Sequence, residues 1–369
     1  MRMNTSRPRR SLSRNVAGIV AAGASIALLA ACSGGTSTEE AGDSDAPKSF
    51  EGQTLVVNMP GGFLGELHQE YIYEPFEKEF GVTIETVEGL TADLLAKAQA
   101  QKNNPQMDVL FMANSGFAQG SAQDLWATMT EEKVPFLAEM GDDYRFEGDT
   151  YVSTYNGPVV LAYNPDLVTS VPTSWEDLWD PAYAGKAIIP DMNGCCGVLF
   201  LLQAAMDNGG GIDDIQPGFD ALQELKPNLI TLFTSNSDAQ TLYTDGAAAL
   251  GVWSIDRAVA MMQSGASMDY VIPEEGAPLV LNSVAIVNGS PNQELAEVFV
   301  DFALRQVTKP EFYTQLASLP GLDEVEIPAE FKDVYPSEDE MARLWVPEWS
   351  KIAPEMPAWQ DQWQREVVF

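Results

Sequence analysis

Histidine is almost missing from this chain: His68 is the single one in 369 residues. A serine, histidine and acid arrangement for nucleophilic catalysis would have to use that residue. Its setting beside Gln69 and Glu70 on a helix is instead that of a surface histidine, so no enzyme activity is expected. Cysteine is scarce too, with three in all, two of them adjacent as Cys195 and Cys196 in NGCCG. Neighbouring cysteines without histidine partners do not make a zinc site. They can join only through a strained ring, so a reduced pair packed at a helix start is expected, with a vicinal disulfide as the alternative. Basic residues number 20 against 54 acidic ones, for a net charge of −34. Phosphate binding needs clustered Lys and Arg, so nucleic acid is not an expected partner. No cofactor and no metal site are expected. What is present is 45 % hydrophobic and 9 % aromatic content, enough to fill two compact units in a chain too long for one small core.

The N-terminus carries the strongest local signal. Arg2, Arg7, Arg9, Arg10 and Arg14 precede an apolar run, Val16 to Ala31, that is short for a membrane span and rich in Ala and Gly. It ends in LAAC (Leu29 to Cys32) before the polar segment SGGTSTEEAGDSDAPKS. A basic region, an apolar region and small residues before a cut site make residues 1–31 an expected signal peptide. Its removal leaves 15 of the 20 basic residues against all 54 acidic ones, net −39. A negative surface of that size can concentrate cationic solutes or serve solubility. LAAC resembles the bacterial lipobox, which implies a lipid on Cys32 and attachment to the extracytoplasmic face of the membrane. The arginine pair leaves the general secretory and twin-arginine routes both open. Residues 32–50 read as a polar tether.

Along the body, strands are expected at Gln53–Met59, 82–87 and 107–112, with helices at Leu64–Phe80, kinked near Pro75, and from a Thr91 cap to about Asn103. The loop PGGF after the first strand holds Gly61 and Gly62, where backbone can approach a ligand or turn tightly. The third strand delivers Asn114 and Ser115 into a loop as candidate polar contacts, although such residues are also common turn formers. YVSTYNGPVVLAYNPDLV reads as two extended runs separated by Asn156 to Pro158, the passage into a second lobe. Lys186–Pro190 is a strand leading to DMNGCCG and a helix. That connection is potentially an anion site through its backbone N–H groups, but more simply a routine strand-to-helix turn.

The stretch from Tyr243 to Asn288 organises the rest. It alternates buried strand (Ala247 to Trp253), helix capped at Ser254, strand (Met268 to Ile272) and apolar strand (Leu279 to Val287), as expected of a parallel α/β sheet. Trp253 at a strand's carboxyl end, followed by Ser254, Asp256 and Arg257, is a candidate pocket wall; a core Trp beside an ordinary cap is the alternative.

Taken in order, EPFEKEFGVTIETVEG (74 to 89), MDVLFM, YNPDLVTSVPTSWEDLWDPAYAGKAIIPD (163 to 191), DGAAALGVWS (245 to 254), YVIPEEGAPLVLNSVAIVNGSPN (270 to 292) and ELAEVFVDFAL (294 to 304) resemble the solute-binding proteins of bacterial ABC importers, in the branch with spermidine/putrescine binders. The resemblance implies a two-lobed α/β periplasmic-binding-protein fold with crossing strands, an interlobe cleft, and delivery of a small solute to a membrane permease by a monomer. It implies lobe 1 at 51–157 plus about 283–322, and lobe 2 at 158–282 plus about 323–369. In polyamine binders carboxylates hold the amines and aromatic rings line the methylenes. Trp253 matches one such ring. Asn282 stands where the family pattern has an acid, Val280 replaces a neighbouring aromatic, and the acidic pair expected after Asp191 is absent. A polyamine or related amine is the expected solute, with Asp191 and Asp256 as its amine partners, and the lost acids leave a smaller amine, a zwitterion or a neutral solute as alternatives. A ferric-ion binder is a further rival, but it would need paired tyrosines where Tyr243 stands alone.

Overall fold

Strand and helix alternate from the first described element, and the boundaries have local causes. The computed structural model describes residues 49–369 except Gly62, Asn193, Cys195, Asp323, Asp333 and Phe369. The expected signal peptide, tether and Cys32 lie outside the described residues. The chain opens β1 (Thr54–Met59), α1 (Phe63–His68), α2 (Glu74–Phe80), β2 (Thr83–Glu88), α3 (Thr91–Ala100), β3 (Val109–Ala113) and α4 (Asn114–Ser121). The expected single helix at Leu64–Phe80 is broken by a π-helical turn, Gln69–Tyr73. This wider turn makes room just ahead of Pro75, whose ring would clash with the preceding turn. Gly81 then ends α2 in the left-handed region at φ 67°. Asn114 and Ser115, expected in a loop, begin α4 instead.

After β4 (Arg145–Phe146) comes β5 (Tyr151–Tyr163), a single strand of 13 residues where two runs were expected. The remaining elements are β6 (Ala187–Pro190), α5 (Gly197–Asp207), α6 (Gln216–Leu225), β7 (Leu229–Phe233), α7 (Asn236–Thr244), β8 (Leu250–Ser254), α8 (Ile255–Gln263), β9 (Asp269–Val271), β10 (Ala277–Ile286), α9 (Gln293–Val307), α10 (Pro310–Tyr313), β11 (Leu319–Pro320), α11 (Glu338–Met341), β12 (Leu344–Trp345) and α12 (Trp349–Glu366).

The main sheet runs β2-β1-β3-β10-β5-β8-β6-β7. β1 is parallel to β2 and β3, and β6 is parallel to β7 and β8. The expected all-parallel alternation fails in the middle, where β10 is antiparallel to β3 and β5, and β5 is antiparallel to β8. The reason is topological: β5 carries the chain out of one half and β10 brings it back, so the two must run in opposite directions. Pro158, which has no N–H for a ladder, pairs with Leu279 just before β8 takes over at Val159. The β5–β10 register slips at Asn282/Ser283, where Tyr155 faces Asn282 but Ser153 faces Ser283, a bulge that leaves Thr154 over.

Two sets of apolar side chains fill the halves. One joins Leu55, Val57, Phe76, Phe111 and Tyr155 to Val284, Phe299 and Phe312, beside a smaller cluster around Phe117, Trp126 and Tyr151. The other takes in Ala118 of α4 and Val159 of β5 and joins Trp175, Phe200, Trp253 and Ala277 to Trp349 and Trp363 of α12. The fold is thus two-lobed α/β, with β5 and β10 crossing between the lobes.

Candidate functional site

A cavity of about 330 Å³ lies against the crossing strands. Tyr155, Asn156, Gly157, Val280 and Asn282 line it from β5 and β10. Phe63, Leu64, Gln315, Leu316 and Ser318 border it on one side, and Asn236, Ser254, Asp256, Arg257, Ala260 and Gln263 on the other. Gly157 allows the close fit, because a Cβ there would meet Ile255 Cγ2 at 2.9 Å. The volume is at the small end for ligand pockets.

Among its lining residues are one acid and one base. Asp256 Oδ2 lies 3.2 Å from Arg257 Nε, and both side chains are about a third exposed, at 30 % and 37 %. They sit in the first turn of α8, where the helix dipole favours the carboxylate. The rest of the polar lining is amide and hydroxyl. Trp253 does not line the cavity: period 2 along β8 turns Ser254 to it and Trp253 into the core. The Trp253 ring is 2 % exposed and stacks on Tyr243, with centroids 5.6 Å apart. Its Nε1–H donates to Asn236 Oδ1 at 2.9 Å, so it holds a cavity residue from behind. The Tyr243 hydroxyl is buried too, donating to the Ala162 carbonyl at 3.2 Å, and burial pushes its pKa up.

Of the residues picked out in the sequence, Ser254, Asp256, Arg257 and Asn282 come together in this cavity. Asn114 is buried nearby, its Oδ1 accepting from Ser283 Oγ at 2.5 Å, and Ser115 beside it is half-buried. Neither lines the cavity. Asp191 lies elsewhere, accepting from Trp363 Nε1 of α12 at 3.3 Å. Gly61 borders a separate, wider groove with Glu66, Glu70 and Glu88, and nothing lies within 4 Å of where its Cβ would stand. Gly62 and Cys195 are outside the described residues; Cys196 is buried. In DMNGCCG, Gly197 answers to packing, since a Cβ there would meet the Asp191 carbonyl oxygen at 2.1 Å.

His68 departs most from expectation. It is 0 % exposed, turned inward at the junction of α1 with the π-helical turn, and it packs against Phe111 at 4.7 Å between centroids, with Tyr73, Tyr155 and Phe312 around it. Burial lowers its pKa from 6.5 to about 3. Tyr73 O–H donates to the Asn58 carbonyl at 2.6 Å, so at the 3.3 Å contact with His68 Nδ1 the phenol oxygen accepts. That assigns the proton to Nδ1 and leaves Nε2 to accept from Tyr155 O–H at 3.4 Å. Tyr155 therefore presents its ring to the cavity while a neutral histidine holds its hydroxyl. Burial, with the nearby Asp256 charge adding to it, raises the Tyr155 pKa, which keeps that hydroxyl protonated.

Sequence reasoning missed Tyr155, Asn156, Asn236 and Gln263. The signal in β5 was its polar cluster, Ser153, Thr154 and Asn156, inside an otherwise apolar strand. All three side chains are fully buried, and buried polar groups at a chain crossing call for partners. Asn156 Nδ2 and Asn114 Nδ2 have none among the described residues, and an unsatisfied buried donor costs about 1–3 kcal/mol.

The family model of the bacterial extracellular solute-binding proteins matches residues 72–336. The putative 2-aminoethylphosphonate-binding periplasmic protein of Salmonella typhimurium is 21 % identical over 326 residues, 87 % of this chain and 94 % of that one. The spermidine/putrescine-binding periplasmic protein 1 of Haemophilus influenzae is 23 % identical over 315 residues, covering 80 % of this chain and 82 % of its own. A crystal structure of an ABC transporter from Clostridium perfringens superposes with a TM-score of 0.71 at 26 % identity, over 85 % of this chain and 99 % of that one. With a matched span this long, and crossing strands that border a cavity, the chain belongs to the bacterial extracellular solute-binding proteins.

Proposed function

We propose that the solute this protein captures for its ABC permease is a small zwitterion, carrying an amine at one end and an acid group at the other, bound in the cavity against β5 and β10. The observation that carries this reading is the Asp256–Arg257 pair in the cavity lining. One carboxylate suits one ammonium group, and an adjacent guanidinium suits a carboxylate or phosphonate. A polyamine has two or more cationic ends and would face a cation in the same wall with a single acid to offset it. Among the relatives, the putative 2-aminoethylphosphonate-binding protein is named for a ligand with the charge pattern this reading requires, and the spermidine/putrescine-binding protein for ligands with the other. The lobes would hinge about Asn156–Pro158 and Asn282–Ser283, closing the cavity on its ligand. A lipid on Cys32 would keep the protein at the membrane that holds the permease. The chemistry asked of the site is binding alone, in keeping with a single histidine enclosed by aromatic rings.

Native mass spectrometry of freshly purified protein tests the ligand class. The expected adduct is one small molecule with both an amine and an acid group, absent from an Ala260→Trp variant whose indole would fill the cavity. A stoichiometric polyamine or ferric ion in the parent, lost from the same variant, would overturn the zwitterion reading.

A further inference from the structure

Where β5 crosses between the lobes, a knot of buried polar side chains meets the bulge of β10. Ser153 Oγ donates to Asn156 Oδ1 at 2.5 Å and lies 3.3 Å from the Asn282 carbonyl oxygen. Thr154 Oγ1 donates to that same carbonyl at 2.9 Å. On the other side of β10, Ser283 Oγ donates to Asn114 Oδ1. The amide oxygens of both asparagines are therefore held, while both amide nitrogens are without partners among the described residues. Only Asn156 of the two lines the cavity. Its backbone is fixed from both sides, opposite Leu281 of β10 and Leu319 of β11, and Ser153 removes its oxygen from play. What the side chain has left to offer is an N–H donor, in a lining that also carries Arg257.

We infer that Asn156 is the specificity-determining donor of the cavity: its Nδ2–H bonds the acid group of the bound solute and selects against ligands with an ammonium group at that end. The inference rests on the zwitterion reading and adds to it a neutral, rigid donor that works beside the Arg257 charge. A buried amide donor rejects a cationic group because two donors would then face each other with neither satisfied. Tyr155 does not compensate, since its proton is directed to His68 and away from any ligand acceptor.

The test is calorimetric titration of 2-aminoethylphosphonate, 4-aminobutyrate and putrescine into the parent, Asn156→Asp and Asn156→Ala proteins. Asn156→Asp keeps the oxygen that Ser153 holds and replaces the donor by a carboxylate oxygen. Affinity for both acid-bearing ligands should fall by roughly a hundredfold while putrescine binding holds or improves. Asn156→Ala removes the donor without adding charge and should weaken only the acid-bearing ligands, by roughly tenfold. It decides the matter if the aspartate variant does not fold. A purely structural role would lower all three affinities together. A ratio of zwitterion to putrescine affinity unchanged by both variants overturns the role of Asn156 alone; no binding of either zwitterion to the parent overturns the ligand reading beneath it.

Discussion

The two walls of the cavity are made of different chemistry. The wall reached from α1 and the segment after α10 carries no charged side chain, with Phe63, Leu64 and Leu316 beside Gln315 and Ser318. The wall reached from α7 and α8 is polar and holds the charged pair, with Asn236, Ser254, Asp256 and Arg257. Between them the crossing strands supply Tyr155 and Asn156. Closing an apolar face onto a charged one would exclude water from Asp256 and Arg257 as the proposed ligand binds, which would strengthen their contacts with it. In this division of labour, on the proposed reading, recognition would lie with the α8 turn and the crossing strands, and the apolar wall would contribute mainly burial.

The sharpest way to break that division is to fill the space between the walls. Ala260→Trp should abolish ligand binding at millimolar solute, measured by calorimetry, while circular dichroism and the melting temperature stay near those of the parent. Next come the charges. Arg257→Gln should remove about 1.5–3 kcal/mol of binding for acid-bearing solutes, and Asp256→Asn a similar amount for the amine end. The two losses should separate when 4-aminobutyrate is compared with a neutral amide analogue and with an N-acetylated one.

His68 sets a pH signature beneath the cavity. Burial lowers its pKa from 6.5 to about 3, so between those values the unfolded chain binds a proton that the folded protein refuses. Its contribution to stability is therefore complete above pH 6.5 and is lost as pH falls toward 3, with a slope of at most ~1.4 kcal/mol per pH unit. Asp207, raised from 3.8 to about 6 chiefly by burial, has the opposite sign in an overlapping window. Urea titrations of parent and His68→Gln from pH 7 to pH 4 cancel its contribution in the difference, and the gap between the two proteins should narrow as pH falls. The smallest effect belongs to the apolar wall. Phe63 is 47 % exposed, and Phe63→Ala should weaken binding by under ~1 kcal/mol without changing ligand preference.

The strands and most helices were legible because their causes are local: Gly81 ends α2, Ser235 caps α7 by accepting from Asp238 N, and apolar periodicity marks the core faces. The antiparallel centre was not legible, because which strands cross between the lobes is decided by long-range pairing of β5 with β10. For the same reason the site was read only in part. Asp256 lies in the first turn of α8, just past the end of β8, where ligand crevices are expected, while Asn282 sits inside β10 and was reached through the family resemblance. Asn156 lies mid-strand, and its exposure to a cavity depends on strands more than a hundred residues away in sequence. Trp253 was misplaced by one position, since the face of a strand follows its pairing register and a shift of one residue exchanges core for cavity. His68 was misread because the π-helical turn after α1 changes which side of the helix faces inward.

The proposed solute of this cavity is a zwitterion, held at one end by Asp256 and at the other by Arg257. Calorimetric titration of the purified parent protein with 2-aminoethylphosphonate, 4-aminobutyrate, putrescine, spermidine and ferric citrate tests it most directly. Saturable one-to-one binding of a zwitterion, at least tenfold tighter than either polyamine, is the predicted result. Tight binding of a polyamine or of ferric citrate, with no heat from either zwitterion, would contradict it.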